Sequence, residues 1–275
     1  MKYLVPRILL LLSVVATGLY AAPAFAQDEY KEAYNAALES QKAKDYVQAY
    51  KDYEKAATLA DKAGDKDIAE KARVMCAKLA KVNGTAQFKA EQYEAALATF
   101  EAGIKHEPKY DANVYMKGLT LSKLGRDDEA LAAYLEASKS NDTKTARTAA
   151  KALRSYFTAA ASEIVAKENI SASDADRAIA YLDRMENEFE QEPDANSLFY
   201  RGLALKAKGQ YADCVTTMDS AVDVHRGGAT DKAKLFFTKG ECLMLAGDND
   251  AAKIAFGKAK FGSYAKPAQH FIDTL

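Results

Sequence analysis

Small and apolar residues recur at helical spacing along this chain, and residues 114–138 show the pattern most clearly. Gly118 and Leu121 lie three positions apart, on one side of a predicted helix. Gly125 then interrupts the chain, and Asp127 opens a second apolar series formed by Ala130, Leu131, Tyr134 and Ala137. The pattern predicts two antiparallel helices joined by a short turn, each with an apolar stripe.

The same combination of residues returns in other parts of the chain. Glycines at equivalent places in predicted first helices are Gly84, Gly118, Gly202 and Gly240, and the first two are 34 positions apart. Bulky residues in the following helices are Tyr53, Phe100, Tyr134, Met218 and Phe256. Where two helices cross closely, a larger side chain would push the backbones apart, so Gly118 is expected to face Ala130. The bulky residue is expected to fill the space that remains.

These residues closely resemble the tetratricopeptide repeat family, whose unit is a pair of antiparallel helices. The family's G-x-x-Y and A-x-x-x-F spacings match the residues above, its trailing proline matches Pro108, and the resemblance covers nearly all of residues 30–264. The family's tryptophan is absent, and Cys214 replaces its alanine. The resemblance implies a right-handed superhelix of stacked pairs, and related α-solenoids built from helix pairs remain the alternative.

One hairpin cannot bury both of its faces, so the units must stack and the ends must be capped. We therefore expect an all-α fold, an α-solenoid of about six antiparallel helix pairs with a C-terminal capping helix. Units are predicted near residues 30–63, 77–110, 111–144, 145–192, 195–228 and 233–266, with the cap at 267–275. The unit at 145–192 is degenerate because it has no consensus glycine.

Several helix starts are predicted from local signals. A lengthened helix should begin near Asp65, and Ser173 with Asp176 forms a capping-box pattern before another helix. Asp248 is expected to cap a helix rather than to bind calcium. Pro267 should start the final short helix.

Residues 1–26 have the pattern of an export signal. A charged start precedes an almost wholly apolar run at 8–20, and the Ala-Phe-Ala sequence at 24–26 suits a signal peptidase. We expect cleavage before Gln27, which leaves a solenoid domain of residues 27–275 outside the cytoplasm, in the periplasm. An uncleaved membrane anchor is the alternative, although the apolar run is shorter than the ~20 residues that span a bilayer.

The sequence offers no recognisable catalytic or metal-binding pattern. The histidines, His106, His225 and His270, fall in predicted loops or near the end of the array, without an HExxH motif or a cysteine at ligand spacing. We therefore expect exposed loop histidines, no metal, no cofactor and no enzymatic activity. The formal net charge of −1 also argues against a general nucleic-acid binder, because phosphates require clustered cations.

The three cysteines, Cys76, Cys214 and Cys242, are an odd number for an oxidising compartment. Cys214 takes the place of a small packing alanine, and Cys242 lies in the first helix of the next unit. A bond between these two is geometrically conceivable, but the Cα separation that a disulfide requires cannot be read from sequence. Buried free thiols are the favoured expectation.

Binding residues are expected on the side of the first helices that, in the family, faces a concave peptide groove. The resemblance implies a groove lined by four aromatic residues and four lysines: Tyr34, Tyr115, Phe199, Phe237, Lys42, Lys89, Lys123 and Lys206. The rings would supply contact area, and the lysines would attract an acidic peptide. The alternative is that the rings pack against the neighbouring first helix and that the lysines form a solvated rim.

The sequence thus predicts a non-enzymatic protein–protein interaction scaffold of the cell envelope that binds a peptide or partner protein, with an acidic partner as a hypothesis. A structural subunit fixed in an outer-membrane or cell-wall assembly is the first alternative, and it should show a broad apolar outer surface. An enzyme with an unrecognised site is the second, and it would need convergent polar residues in a pocket. The resemblance supports the binding class without identifying a ligand.

Overall fold

The computed structural model describes residues 24–275, and the regular secondary structure in this range is helical. The helices are α1 (Ala24–Lys42), α2 (Tyr46–Ala63), α3 (Lys66–Lys89), α4 (Tyr93–His106), α5 (Asp111–Lys123), α6 (Asp127–Ser138), α7 (Thr143–Val165), α8 (Ala172–Asn187), α9 (Ala195–Ala207), α10 (Tyr211–Val224), α11 (Ala229–Leu245), α12 (Asn249–Lys258) and α13 (Ala265–Thr274). None of these helices combines the length and apolar character needed to cross a bilayer. The expected export signal lies, up to residue 23, outside the described residues.

The helices pack in sequence order as six antiparallel pairs, from α1 with α2 to α11 with α12, and each pair stacks on the next. Short loops make neighbouring helices run in opposite directions. The array ends with α13, which begins at Ala265, two residues before the expected Pro267, and packs against α12. The predicted all-α solenoid of about six helix pairs with a C-terminal capping helix is confirmed.

We call α1, α3, α5, α7, α9 and α11 the first helices and their partners the second helices. From α3 to α11, each first helix also packs against the next first helix, whereas consecutive second helices contact each other far less over the described residues. The units are therefore closer together on the first-helix side. We call the solvent-facing sides of the first helices the inner surface.

Glycines allow the two helices of a pair to cross closely. A Cβ atom added at Gly118 would lie 2.8 Å from Cδ1 of Tyr134 and 3.2 Å from the carbonyl oxygen of Ala130. The aromatic ring, rather than Ala130 alone, therefore sets the limit on side-chain size. The same relation holds between Gly84 and Phe100, between Gly202 and Met218, and between Gly240 and Phe256.

The expected start signals of two helices are confirmed. The Asp65 carboxylate accepts a hydrogen bond from the Ile68 N–H at 3.1 Å, and the 24-residue α3 begins at the next residue. The Asp248 carboxylate likewise accepts from the Ala251 N–H at 3.0 Å at the start of α12. Each carboxylate satisfies an N–H group that has no partner within its own helix.

The start of α8 differs from the expectation. The capping residue is Ser171, not Ser173, and its Oγ accepts the Asp174 N–H at 3.0 Å. The Asp174 carboxylate in turn accepts from the Ser171 hydroxyl at 2.9 Å and from Lys167 at 2.8 Å. Both serines precede an aspartate by three positions, so the sequence pattern alone did not distinguish them.

The expectation of buried free thiols is wrong for two of the three cysteines. Cys214 on α10 and Cys242 on α11 form a disulfide, with their Cα atoms 6.3 Å apart. Both residues are fully buried where α10 packs against α11, and this close approach falls within the Cα separations that disulfides require. Cys76 remains a buried free thiol.

His106 is not the exposed loop residue that the sequence led us to expect. It is the last residue of α4, and its Nε2 lies 3.0 Å from Tyr50 Oη and 3.2 Å from Glu54 Oε1, both on α2. Its side chain is only 18% exposed, because the second helices of neighbouring pairs meet there. His225 is half-buried, whereas His270 is exposed.

Candidate functional site

A cavity of about 580 Å³ opens near the middle of the inner surface. Lys81 of α3, Tyr115 and Met116 of α5, and Lys144 and Thr148 of α7 line it. The loops before α5 and α7 complete it with Pro108, Lys109, Tyr110, Lys139 and Asn141. The lysines are exposed and the tyrosines and Met116 are half-buried, so apolar surface lies beside a rim of positive charge.

All four aromatic residues predicted from the sequence are half-buried. The ring centroid of Tyr34 lies 5.2 Å from that of Tyr53, and the centroid of Tyr115 lies 5.9 Å from that of Tyr134. Each tyrosine thus packs against the bulky residue of its own helix pair, and Tyr115 also lines the cavity. Burial raises the pKa of Tyr115 above its usual value, so its phenol stays a hydrogen-bond donor up to a higher pH than an exposed tyrosine.

Phe199 and Phe237 lie farther along the array and already have partners within the chain. The Lys234 ammonium lies 4.4 Å from the Phe199 ring centroid, a cation–π contact between α11 and α9. The Phe237 centroid lies 5.4 Å from that of Phe256 and 5.8 Å from that of Phe271 on α13. Phe237 therefore contributes to the contact between the last helix pair and the capping helix.

The four predicted lysines divide into two paired and two unpaired side chains. Lys42 and Lys206 form ion pairs with N–O distances of 2.7 Å, the latter with Glu241 on α11. Lys89 and Lys123 end α3 and α5, are exposed, and form no ion pair with any described residue. The eight predicted residues are spread over five first helices, and no ion pair, hydrogen bond or ring contact in residues 24–275 joins two of them.

Charge is divided between the two sides of the array. The first helices from α3 to α11 contain seventeen Lys and Arg residues against six Asp and Glu, a net charge of +11. The second helices from α4 to α12 contain five against fourteen, a net charge of −9. The formal net charge of −1 for the whole sequence conceals this division.

Four cations of α7, which the sequence interpretation missed, form what we call the basic stripe: Lys144, Arg147, Lys151 and Arg154. They are three or four positions apart and share one face of the helix. None of the four side chains forms an ion pair or a hydrogen bond with another residue of the described part of the chain, residues 29–275. The spacing of these cations is visible in the sequence. The inner-surface residues, however, were predicted from their distance to a consensus glycine, and the pair of α7 and α8 has no such glycine.

The segment from α5 to the start of α7 matches a known family. Residues 113–143 match the tetratricopeptide repeat family. The matched segment contains Gly118 and Tyr134, the close crossing described above. Tetratricopeptide repeats stack into extended surfaces that bind other proteins. A search of curated proteins finds no match.

Several solved structures resemble this tetratricopeptide-like array. MamA from Desulfovibrio magneticus RS-1 is 18% identical with a TM-score of 0.37, over 66% of this chain and 92% of that one. A tetratricopeptide repeat protein from Parabacteroides merdae is 12% identical with a TM-score of 0.32, over 90% and 98%. The TPR2AB domain of yeast Sti1, solved as a pHSP90 complex, is 16% identical with a TM-score of 0.36, over 90% and 98%. Such distant similarity does not identify a partner for this chain.

The chemical groups of the tetratricopeptide-like array suit noncovalent binding. Among the side chains that the structure describes, residues 29–275, no group of three His, Cys, Asp or Glu could hold a metal ion. Burial raises the pKa of the Cys76 thiol to about 12, so it is protonated and weakly nucleophilic at neutral pH. The inner surface instead offers half-buried rings, hydroxyl groups and unpaired ammonium groups.

Proposed function

We propose that this chain is a non-enzymatic protein–protein interaction scaffold of the cell envelope and that it binds a peptide or partner protein on its inner surface. The observation that carries the proposal is the packing of each first helix from α3 to α11 against the next, together with the cavity that α3, α5 and α7 line. Stacked helical repeats use extended surfaces of this kind to bind proteins. The matched segment at 113–143 contributes Tyr115 and Met116 to the cavity.

Photo-crosslinking at defined positions tests where the partner binds. We expect p-benzoylphenylalanine at Lys89 or Lys123, the exposed ends of two first helices, to give one and the same crosslinked product in cells. The same amino acid at Glu94 or Glu136, exposed on second helices, serves as the control and should give no such product. Identical products at all four positions, or products at the second helices alone, would contradict binding on the inner surface.

Two features support the envelope location. The pattern of residues 1–26 is that of an export signal, and the disulfide between Cys214 and Cys242 suits an oxidising compartment. We expect the chain purified from its native host to begin at Gln27 and to contain two oxidised cysteines, which intact-protein mass spectrometry measures. An intact chain that begins at Met1 and is fully reduced would contradict export.

A structural subunit fixed in an envelope assembly is the second candidate. Val215, Phe236, Leu243 and Ile254 line a small groove formed by α10, α11 and α12, together with Lys239 and Lys258, and Ile254 is 64% exposed. A permanent contact would cover apolar surface of this kind. In that case the chain would migrate only within a large complex in non-denaturing extracts, and crosslinks would arise at Ile254 instead of at the inner surface.

A further inference from the structure

The basic stripe is a concentration of like charge that the fold does not neutralise. Glu163 is the only acidic residue of α7, and it lies nine positions beyond Arg154. Some other cations of the first helices do pair with second helices, as Arg201 does with Asp183 at 2.7 Å and Lys117 with Glu101 at 3.0 Å. Like charges one helical turn apart repel each other, so the stripe disfavours its own helix unless an anion from outside the chain lies beside it.

The stripe and the cavity adjoin, because Lys144 belongs to both. The other exposed lysines at the cavity are Lys81, Lys109 and Lys139, and none of them forms an ion pair with a side chain that the structure describes. Asp111 and Asp142 also line the cavity, but Asp142 is engaged as the cap of α7. Its carboxylate accepts from the Thr145 N–H at 2.9 Å and from the Thr145 hydroxyl at 2.5 Å. Unpaired positive charge therefore predominates around the half-buried rings of the cavity.

We propose that the basic stripe and the cavity together bind an acidic segment of another protein, with one large apolar side chain in the cavity and the neighbouring carboxylates along α7. The inference rests on the proposed function and names the chemistry of the partner. Lys144 and Arg154 are ten residues apart, which is about 15 Å along a helix. An extended segment of about five residues covers that length.

A second copy of this chain fits the stripe less well, although its second helices are acidic. Arg201 holds Asp183 at 2.7 Å and Glu186 at 2.8 Å, and Lys167 holds Asp174 at 2.8 Å. In total, seven of the fourteen Asp and Glu residues of the second helices from α4 to α12 are already in ion pairs within their own chain. An acidic segment without internal partners would pair with the stripe at a smaller desolvation cost.

Fluorescence anisotropy with a defined probe tests the proposal. The probe is a labelled heptapeptide of six glutamates around one central phenylalanine, added to the purified chain at low ionic strength. We expect the triple variant K144E/R147E/K151E to weaken binding by at least about tenfold, because attraction is replaced by repulsion. The matched control K51E/K55E/K62E makes the same change in charge at three exposed lysines of α2 that form no ion pair with any described side chain. It should stay within about twofold of the unchanged chain.

A second peptide tests the cavity. Replacing the central phenylalanine by alanine should weaken binding to the unchanged chain, whereas Ala112→Trp, which fills the cavity, should remove the difference between the two peptides. Circular dichroism of all variants, together with the milder K144Q/R147Q/K151Q, separates lost binding from lost folding.

Four outcomes would overturn the inference. Equal losses in both charge-reversed chains would mean general attraction, and equal affinity for the two peptides would exclude the cavity. Tighter binding of a single-stranded oligonucleotide of equal charge would indicate a nucleic acid, and oligomers that the stripe variant dissociates in sedimentation would indicate a second copy. If crosslinks at Lys89 and Lys123 persist unchanged in the stripe variant, the proposed function stands and the stripe is not its site.

Discussion

Two glycines of the last helix pair have opposite surroundings. A Cβ atom added at Gly240 would lie 2.7 Å from Cε1 of the buried Phe256 ring, whereas one added at Gly257 would have no neighbour within 4 Å. At Gly240 the small size of glycine is a packing requirement. At Gly257 glycine only adds backbone freedom to a helix.

These surroundings give substitutions of opposite sign. We expect Gly240→Ala to lower the free energy of unfolding by about 1–3 kcal/mol, because the added methyl group would force the buried Phe256 ring to shift. Gly257→Ala is the control and should raise it by about 0.5–1 kcal/mol, since alanine favours helix. Urea unfolding followed by circular dichroism measures both. An unchanged free energy of unfolding in Gly240→Ala would show that α11 and α12 can move apart at little cost.

Close crossings could be predicted from the sequence, whereas the state of individual charges could not. Each crossing glycine stands sixteen positions before its bulky partner, as Gly118 does before Tyr134, so a fixed spacing reveals it. Lys123 and Lys206 were expected to behave alike, yet Lys206 pairs with Glu241, 35 residues away. Whether a lysine is free depends on what the next unit presents to it, which its own unit does not encode.

The disulfide joins α10 to α11, which belong to different helix pairs. We expect C214A/C242A to lower the stability of the C-terminal pairs by about 3–4 kcal/mol, the loop-entropy value for cysteines separated by 28 positions. Because each unit contacts mainly its neighbours, faster hydrogen exchange should be concentrated in α9–α12.

A control variant distinguishes the effect of losing the disulfide from the effect of losing a cysteine side chain. Cys76→Ala removes a buried thiol that is not bonded to another cysteine. In this variant, hydrogen exchange in α9–α12 should still become faster when reductant is added. In C214A/C242A, reductant should no longer change the rate of hydrogen exchange. Exchange that is unaffected by reductant in the unchanged chain would contradict the disulfide.

The sequence predicted where the helices lie along the chain more reliably than it predicted which face of each helix is buried. The repeating pattern indicated α10 and α11, but pairing of Cys214 with Cys242 also depends on how each helix is rotated about its axis where the two pack together. The same difficulty applies to α7, where no consensus glycine marks the face that packs against α8. The basic stripe became recognisable once the buried face, with Leu153 and Phe157, was known.

Over the whole molecule, alternation of helices converts a nearly neutral chain into one with two oppositely charged sides. The first and second helices from α3 to α12 carry +11 and −9, although the formal charge of the complete sequence is only −1. Repeated hairpins could be inferred from periodicity, so the architecture was predictable. The division of charge appears only when each helix is assigned to a side. Such a field would orient an approaching acidic partner toward the inner surface.

The covalent link between α10 and α11 also determines how the array can respond to tension. A stack whose units touch mainly their neighbours can lengthen under force by releasing one pair after another. The segment from Cys214 to Cys242, 28 positions long, cannot be pulled out while the disulfide is intact. The extended length of the chain under force is therefore shorter by about 90 Å. The N-terminal pairs have no such restraint within the described residues, so a pulled molecule would lengthen mainly from that end.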